Sequence, residues 1–547
     1  MLRLTYIRCC LTGVMLTLVL LGIVLARAPE AALAQRPNFV VIQTDDQNAD
    51  TLKSFYRGRG GEVRRVMPNT LDGIVRSGAE FNNYYASSPV CSPSRASLLT
   101  GQYPHSNGLL RNDGREGGWS GWQALPTWHR NVPVTLNRAG YHTAHFGKLI
   151  NDYYDTVNRR VDRTVPLGWD RWFTTAFVPG ARYYGYEVND DGVGIGPIGN
   201  PRYRLGGPGV DPATCTAARL LSGPGRKRCK HLTDFMTRAA VREIRHRRSR
   251  PFYLQIDYQS PHGDVRPPAG PTPQTRHAGT AANTPLPRPP NFNEADFSDK
   301  PAFIRESAGR PMNRREIRKQ THYYRRYIEA LRGVDDGVGA ILKTLRQTGQ
   351  LRNTYVFFLS DHGMFLGEHR FDRAKFLPYE AASSVAMAVR GPGISAGTKV
   401  NEVVGNIDIP ATVLQLSGAT SGYELDGRPL GRFWRNPETR TRRPFEVSLF
   451  VGDNASAGVS GDASVSSKAP AVNYRGYRVG PYKYIRYRNG ARELYDLKRD
   501  PHELNNRIDK PRYDEVQRYM ARHLDEVISC HGEACRRELP PWPLPSR

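Results

Sequence analysis

An α/β fold is the class that three features of this sequence predict. The chain has 547 residues, which is enough for one large α/β domain and a smaller second domain. Apolar runs of strand length are followed at once by residues that bind metals or move protons. One of these runs also follows a long stretch with helical periodicity, as expected where strands and helices alternate along the chain.

The first predicted strand lies at residues 37–42, whose apolar end suits a strand that is buried on both faces. Asp45 and Asp46 follow almost immediately. These two carboxylates are therefore expected at the C-terminal end of a buried strand.

A second copy of this arrangement lies much later in the chain. Apolar residues recur at helical spacing over 323–345, and a short loop then leads to a predicted strand at 355–359. Asp361 and His362 follow that strand directly. The order here is helix, strand and acidic loop.

A third predicted strand, at residues 252–258, ends close to His262, and the Pro-rich stretch 267–290 after it is typical of an irregular loop. In open α/β sheets, ligands bind at the carboxyl ends of the strands. The residues expected to converge on one crevice are Asp45, Asp46, His262, Asp361 and His362.

The pattern changes near residue 440 to short strands rich in Tyr and Arg, such as 482–487, followed by a helix near 513–527. Aromatic residues between arginines would suit stacking on nucleic-acid bases. Alternation in a half-buried antiparallel strand explains them without such a partner. We predict a large domain over 35–440, a C-terminal antiparallel-sheet subdomain over 441–547, and no nucleic-acid partner.

Residues 1–34 have the pattern of a secretory signal peptide. Arg3 and Arg8 precede an apolar run from residue 11 to 26, and residues 32–34 have the small-x-small pattern of a cleavage site. The alternative is an uncleaved membrane anchor, but the run falls short of the ~20 residues that a spanning helix needs. We expect cleavage, secretion to the extracellular space or the periplasm, and no stable membrane insertion afterwards.

The cysteines and the charge fit an exported protein. Outside the signal peptide, two close pairs suggest disulfides and one cysteine is left over. The pairs are Cys215 with Cys229 and Cys530 with Cys535, and the remaining residue is Cys91. The net charge of +26 favours polyanionic partners, and an exported protein meets polysaccharide most often. An Arg-rich composition inherited from the source genome explains the charge equally well.

The strongest local motif is VCSPSRASLLTG at residues 90–101. It resembles the type I sulfatase signature, C-x-P-x-R followed by Leu-Thr-Gly, in which the Cys is oxidised to formylglycine. The alternative is a structural Cys beside a proline turn. That alternative leaves the matches at Pro93, Arg95 and 99–101 without an explanation.

The resemblance extends over nearly the whole chain, through residues 36–47, 147–148, 261–262, 360–363 and 494–501. Within the family, the sequence is most similar to N-acetylglucosamine-6-sulfatases, although Gly367-Glu368-His369 also resembles iduronate-sulfatase relatives. The resemblance implies an alkaline-phosphatase-like sulfatase fold. That fold has a large, mostly parallel mixed sheet flanked by helices and a smaller C-terminal α+β domain.

The same resemblance implies a metal site. The ion is expected to be Ca²⁺ ahead of Mg²⁺, and both prefer hard oxygen ligands. Its implied ligands are Asp45, Asp46, Asp361, His362 and the modified Cys91. Imidazole is an unusual partner for Ca²⁺, so hydrogen bonding beside the metal is the alternative role of His362. For the aspartates the alternative is helix or turn capping.

Three further residues match positions with a catalytic role in the family, and a fourth residue, His262, is a candidate on chemical grounds. Lys148 and Lys375 match the lysines that contact sulfate, and Arg95 matches the arginine that steadies the aldehyde hydrate. Cationic side chains suit an anionic group, although most of the 78 Lys and Arg residues are expected to be surface charges. His262 is the candidate general acid for the leaving alcohol, because imidazole changes charge near neutral pH.

In the implied cycle, one hydroxyl of the aldehyde hydrate attacks sulfur and displaces the alcohol. Loss of a proton from the second hydroxyl then expels sulfate. Many arylsulfatases have a His two residues after the lysine matched by Lys148, whereas this chain has Ile150. Asn151 is not a base and His105 is only a suggestion, so the base for sulfate release stays unassigned.

The predicted function is hydrolysis of sulfate esters, with a sulfated sugar such as N-acetylglucosamine-6-sulfate expected as the substrate and a broad arylsulfatase activity as an alternative. Maturation would need a formylglycine-generating enzyme. A phosphoesterase of the related superfamily and a non-catalytic polyanion-binding protein are two further alternatives. Trp119, Trp122 and Trp128 are candidates for stacking on sugar rings, although burial in the core is the commoner fate of Trp.

Overall fold

The computed structural model describes residues 36–114, 116–155, 160–175, 183–184, 186–198, 231–246, 249–264, 270–450 and 472–545. The predicted signal peptide and the predicted Cys215–Cys229 disulfide lie outside these residues. The predicted disulfide between Cys530 and Cys535 is present, and Cys91 is the free cysteine of the described residues. In the described part of the chain, no helix combines the length and apolar character needed to cross a membrane.

The described strands, in chain order, are β1 (Asn38–Thr44), β2 (Phe55–Arg57), β3 (Val63–Arg65), β4 (Ala79–Tyr85), β5 (His142–Gly147), β6 (Tyr154–Asp155), β7 (Arg160–Val161), β8 (Arg171–Thr175), β9 (Tyr186–Asp190), β10 (Val193–Ile198), β11 (Phe252–Asp257), β12 (Thr354–Ser360), β13 (Met387–Arg390), β14 (Thr398–Gly405), β15 (Phe445–Leu449), β16 (Tyr474–Val479), β17 (Tyr482–Tyr487) and β18 (Arg492–Asp496). Ten of them form the main sheet, in the spatial order β10-β9-β8-β5-β11-β1-β12-β13-β4-β14. Strands β8, β5, β11, β1 and β12 run parallel at its centre. Antiparallel pairing involves β9, β10 and β13, so the sheet is mixed and mostly parallel, as predicted.

The described α-helices are α1 (Pro68–Thr70), α2 (Cys91–Thr100), α3 (Pro104–Asn107), α4 (Gly118–Ala124), α5 (Val132–Arg138), α6 (Leu232–Arg245), α7 (Ala302–Ala308), α8 (Arg314–Gln347), α9 (Glu380–Ser383), α10 (Asp408–Ser417), α11 (Gly431–Arg435) and α12 (Asp514–Ile528). The longest, α8, starts nine residues before the predicted stretch. A capping box at Asn313 and Glu316 fixes its first turn, because each side chain accepts a hydrogen bond from the backbone N–H of the other.

Helices cover both faces of the main sheet. Strand β1 is buried along its whole length, and its alternate side chains point to opposite faces. Val40 and Ile42 pack in the core that contains the apolar face of α8. Phe39 and Val41 pack in the core that contains α10. The large domain therefore has three layers, with the parallel strands at the centre.

The C-terminal strands β15–β18 form a separate four-stranded antiparallel sheet. Tyr482 and Tyr484 of β17 pack with α12 on one face, whereas Ile485 and Tyr487 pack in a core shared with the large domain. The prediction of a half-buried strand is wrong here, because both faces of this sheet are covered. The boundary at residue 440 stays a prediction.

Candidate active site

Cys91 is the first residue of α2, and the whole helix is buried. Because buried polar groups need hydrogen-bond partners, the polar sequence of this helix requires a polar environment. The Ser94 hydroxyl donates to the Asp361 carbonyl at 2.5 Å. The Ser92 N–H donates to the side-chain oxygen of Asn112 at 2.8 Å. These contacts fix the start of α2 beside the carboxyl end of β12.

Asp45 and Asp46 follow β1, and each faces a lysine in the buried crevice. The Lys148 Nζ lies 2.6 Å from Asp45 Oδ2, and Lys148 directly follows the end of β5. The Lys375 Nζ lies 3.1 Å from Asp46 Oδ1 and 3.6 Å from the Cys91 Sγ. Asp46 has φ 68°, a left-handed conformation that Asp tolerates better than most residues.

Arg95 joins the two acidic strand ends. Its Nε donates to Asp361 Oδ2 at 2.9 Å, and its Nη2 lies 3.5 Å from Asp45 Oδ2. Its Nη1 donates to the Lys148 carbonyl at 2.6 Å. The other oxygen of Asp361 accepts the Asp46 N–H at 3.1 Å. The guanidinium group therefore holds the ends of β1, β5 and β12 together.

Two histidines line the same crevice, and a backbone carbonyl lies beside the Nδ1 atom of each ring. His362 Nδ1 lies 3.0 Å from the carbonyl of the next residue, and His262 Nδ1 lies 2.9 Å from the carbonyl that follows it. A carbonyl only accepts, so each Nδ1 carries the proton. The Nε2 of His362 then faces Cys91 Sγ at 3.3 Å, and the Nε2 of His262 faces Asp46 Oδ2 at 3.7 Å.

The concentrated charges shift several pKa values. Burial alone would raise the pKa of Asp45, but the positive charges of Lys148 and His262, among others, hold it well below its ordinary value. Burial, with the charge of Asp45, raises the pKa of Asp361. Burial, again with Asp45, raises the pKa of the Cys91 thiol to about 12. The unmodified residue 91 is therefore a neutral thiol at pH 7.

The side chains present fit a divalent cation. Donor atoms of Asp45, Asp46, Cys91 and His362 lie within 4.8 Å of one another. Among the described residues, Asp46 Oδ2 accepts no hydrogen bond although it is buried, which is costly unless a cation compensates the carboxylate. Carboxylate oxygens suit Ca²⁺ or Mg²⁺, so the two aspartates fit a hard divalent cation, and the identity of the ion stays a prediction.

The structure brings all nine sequence-predicted site residues into one buried cluster. They are Asp45, Asp46, Cys91, Arg95, Lys148, His262, Asp361, His362 and Lys375. Sequence reasoning missed Tyr327 on α8, whose hydroxyl donates to the Asp46 carbonyl at 2.7 Å. The periodicity of α8 predicts that Tyr327 is buried, but no sequence pattern shows how far its hydroxyl reaches.

Other candidate residues lie elsewhere. Trp119 and Trp122 are 2% and 1% exposed and belong to an apolar core cluster, against which Trp128 packs. They are therefore core residues rather than stacking surfaces. The His105 ring lies between Glu446 Oε2 and the Cys530 carbonyl, 2.8 Å from each. Both ring nitrogens of His105 are therefore engaged with these two groups, and the base for sulfate release stays unassigned.

Comparison with known proteins defines the class. A family model described as Sulfatase matches residues 37–419, and a model described as N-sulphoglucosamine sulphohydrolase, C-terminal, matches residues 465–529. The first match covers well over half of the chain. The chain therefore belongs to the sulfatase family.

Named relatives agree with this assignment. An arylsulfatase of Volvox carteri is 30% identical, over 98% of this chain and 80% of its own. An N-acetylglucosamine-6-sulfatase of Homo sapiens is 28% identical, over 95% of this chain and 90% of its own. A solved structure in complex with its substrate D-glucosamine-2-N,6-O-disulfate has a TM-score of 0.69 at 23% identity, over 92% of this chain and 98% of that chain. The protein is a sulfuric ester hydrolase, and the predicted similarity to N-acetylglucosamine-6-sulfatase-like members is confirmed.

Proposed function

We propose that this sulfatase works with a formylglycine formed from Cys91 and with a divalent cation, Ca²⁺ ahead of Mg²⁺. The position of the Cys91 sulfur carries the proposal. It lies 3.5 Å from Asp45 Oδ1, 3.3 Å from His362 Nε2 and 3.6 Å from Lys375 Nζ. A reactive group on this side chain would therefore lie between two candidate metal ligands and the ammonium group of Lys375, which can bind sulfate.

Formation of the aldehyde needs a partner enzyme. Conversion of –CH₂–SH to –CHO releases sulfide, removes two electrons from the carbon and takes up the oxygen of one water equivalent. In a formylglycine-generating enzyme, dioxygen as the oxidant would accept these two electrons. Because Cys91 is fully buried, the modification has to precede the final folding of the chain.

A cation held by Asp45, Asp46, Asp361, His362 and the modified residue 91 would supply Lewis-acid polarisation of a sulfate oxygen, and the aldehyde hydrate would supply the attacking oxygen. Lys148 and Lys375 neutralise the other sulfate oxygens, and Arg95 keeps the aspartates in place. The three aspartates balance these three cationic side chains, so a bound divalent cation leaves the site with the positive charge that an anionic ester needs. In its charged form, His262 donates a proton from Nε2 to the departing alcohol oxygen.

We further propose that the substrate is a sulfated sugar, with N-acetylglucosamine-6-sulfate as the first candidate. The similarity to N-acetylglucosamine-6-sulfatases over nearly the whole chain supports this choice. Secretion to the extracellular space or the periplasm is part of the same proposal. The Cys530–Cys535 disulfide supports it, because disulfides persist in oxidising compartments.

A parallel assay tests the proposal. Enzyme from a host that makes formylglycine would be given an aryl sulfate, the matching aryl phosphate and N-acetylglucosamine-6-sulfate. We expect turnover of both sulfates, with the sugar ahead, and loss of that turnover in Cys91→Ala. The matched control Ser92→Ala removes a neighbouring hydroxyl without removing the nucleophile. A faster reaction with phosphate, or full activity in Cys91→Ala, would contradict the proposal.

A further inference from the structure

Residues 365–374 form a short hairpin, here called the Lys375 hairpin, that leads directly into Lys375. Its two arms are joined by the Phe365 N–H to the Ala374 carbonyl and by the Arg373 N–H to the Phe365 carbonyl, each at 2.8 Å. Lys375 follows the last residue of the second arm. The geometry of this hairpin therefore sets the position of the lysine that faces Cys91.

The backbone of this segment is strained. His369, Arg370, Arg373 and Phe376 have φ values of 51°, 65°, 50° and 74°, in the left-handed region that non-glycine residues seldom adopt. Residues in such conformations persist only where the surrounding structure over-determines them. The Lys375 hairpin must therefore be held from outside.

A segment just beyond the Pro-rich loop, residues 291–295, holds the tip of the hairpin. The His369 N–H donates to the Asn291 carbonyl at 2.7 Å, and the Asn293 N–H donates to the Gly367 carbonyl at 2.8 Å. These backbone contacts fix where the tip lies. They do not involve any of the predicted site residues.

One buried side-chain pair adds to this contact. His369 Nδ1 lies 2.6 Å from Glu294 Oε2, and both side chains are buried. Asn291 Nδ2 donates to the His502 carbonyl at 3.1 Å and lies 3.3 Å from His369 Nε2, so Nε2 accepts and Nδ1 donates to Glu294. Burial, reinforced by Lys300, keeps the pKa of His369 well below its ordinary value. The imidazole is therefore a neutral donor.

We propose that the His369–Glu294 pair positions Lys375 for sulfate binding by holding the Lys375 hairpin in its strained conformation. His369 touches neither Cys91 nor a candidate metal ligand, so it acts through Lys375. The inference rests on the proposed contact between Lys375 and sulfate. The predicted consequence is specific: loss of the pair weakens sulfate binding only while Lys375 is present.

A double-mutant cycle tests this inference. Inhibition by inorganic sulfate and the KM for an aryl sulfate would be measured for wild type, His369→Ala, Lys375→Met and the double variant. We expect His369→Ala to weaken sulfate inhibition by about tenfold, as for loss of one buried hydrogen bond, with a smaller change in kcat. In the Lys375→Met background, His369→Ala should change sulfate inhibition no further.

His369→Asn is the conservative variant, because Asn tolerates a positive φ and its amide can donate to Glu294. It should recover most of the sulfate affinity. If His369→Ala does not accumulate as folded protein, Glu294→Ala, which removes the acceptor of the pair, replaces it in the cycle. The control is Glu402→Gln, which removes a buried acid that pairs with Arg428 at 2.7 Å and should lower stability without changing sulfate inhibition.

The outcomes separate the two proposals. Additive effects of His369→Ala and Lys375→Met would overturn the positioning role, and so would a His369→Ala variant that behaves like Glu402→Gln. If Lys375→Met alone leaves sulfate inhibition unchanged, the proposed sulfate contact of Lys375 fails instead. Coupled effects with rescue by His369→Asn support the inference.

Discussion

At the scale of single residues, the site depends on charges that are paired while fully removed from water. Breaking such a pair leaves an uncompensated buried charge, which is far more costly than losing a surface ion pair. Lys148 and Lys375 each face one carboxylate of the β1 end. The same geometry that offsets their burial leaves both amines beside residue 91, where a sulfate group would lie.

Lys148→Met should lower kcat/KM for an aryl sulfate by about 10²–10³-fold, as for loss of one group that stabilises charge in a transition state. Steady-state kinetics measures this. The control Lys53→Met removes a lysine whose side chain is 53% exposed and that pairs with Glu80, and should leave the kinetics unchanged. Equal behaviour of the two variants would contradict the role proposed for Lys148.

Removal of the cation should abolish turnover. After treatment with a chelator, we expect activity to return with added Ca²⁺ and the thermal midpoint to rise with its concentration. Binding to the folded state alone contributes about 2.7 kcal/mol when the ligand exceeds its Kd by about 100-fold. Calorimetry with and without Ca²⁺ measures the shift. Full activity in the chelated enzyme would be incompatible with the donor set proposed here.

At the scale of elements, α8 supports the site through Tyr327. Its hydroxyl donates to the Asp46 carbonyl at 2.7 Å and accepts the Asn48 N–H at 2.9 Å. Both contacts hold the backbone around the left-handed Asp46. The helix that covers the sheet thus also fixes the conformation of a candidate metal ligand.

Tyr327→Phe should cost about 1–3 kcal/mol of unfolding free energy, because it leaves buried backbone groups without a partner, and should weaken Ca²⁺ activation. Urea unfolding and a Ca²⁺ titration of activity measure the two effects. The control is Tyr324→Phe, three residues earlier on the same helix. This variant should leave Ca²⁺ activation unchanged. If Ca²⁺ activated Tyr327→Phe at the same concentrations as wild type, Asp46 would keep its position without this hydroxyl.

The strand ends of the site were predictable because buried parallel strands have a strong local pattern. The predicted strand at 355–359 is Thr354–Ser360 in the structure, and the polar residues that follow β1, β11 and β12 meet as expected. Lys375 was identified only through its resemblance to the family. The His369–Glu294 contact was not predictable, because it joins two irregular segments 75 residues apart and irregular backbone carries no periodicity.

At the scale of the whole molecule, buried ionisable groups join the small sheet to the large domain. Glu493 of β18 accepts hydrogen bonds from the Tyr379 and Tyr487 hydroxyls at 2.9 and 3.0 Å. Burial raises its pKa from 4.5 to about 7. Between these pH values the folded protein keeps a proton that the unfolded chain has lost, so this group makes stability fall as pH rises through the window.

Glu493→Gln removes this titration and keeps the size of the side chain. The free energy of unfolding of the variant, relative to that of the wild type, should therefore increase as the pH rises from about 5 to about 8. Denaturant unfolding at both pH values measures the difference. If the difference in unfolding free energy between Glu493→Gln and wild type were the same at both pH values, Glu493 would not titrate in this range.

Cys91 lies where several elements of the large domain meet. It is the first residue of α2, and around it lie the C-terminal ends of β1, β5, β11 and β12. The most direct test is the mass of the peptide that contains residue 91, taken from fully active enzyme made by a host with the maturation system. The account predicts an aldehyde or its hydrate in place of the thiol, in proportion to activity across preparations. An unmodified thiol in enzyme of undiminished activity would contradict it.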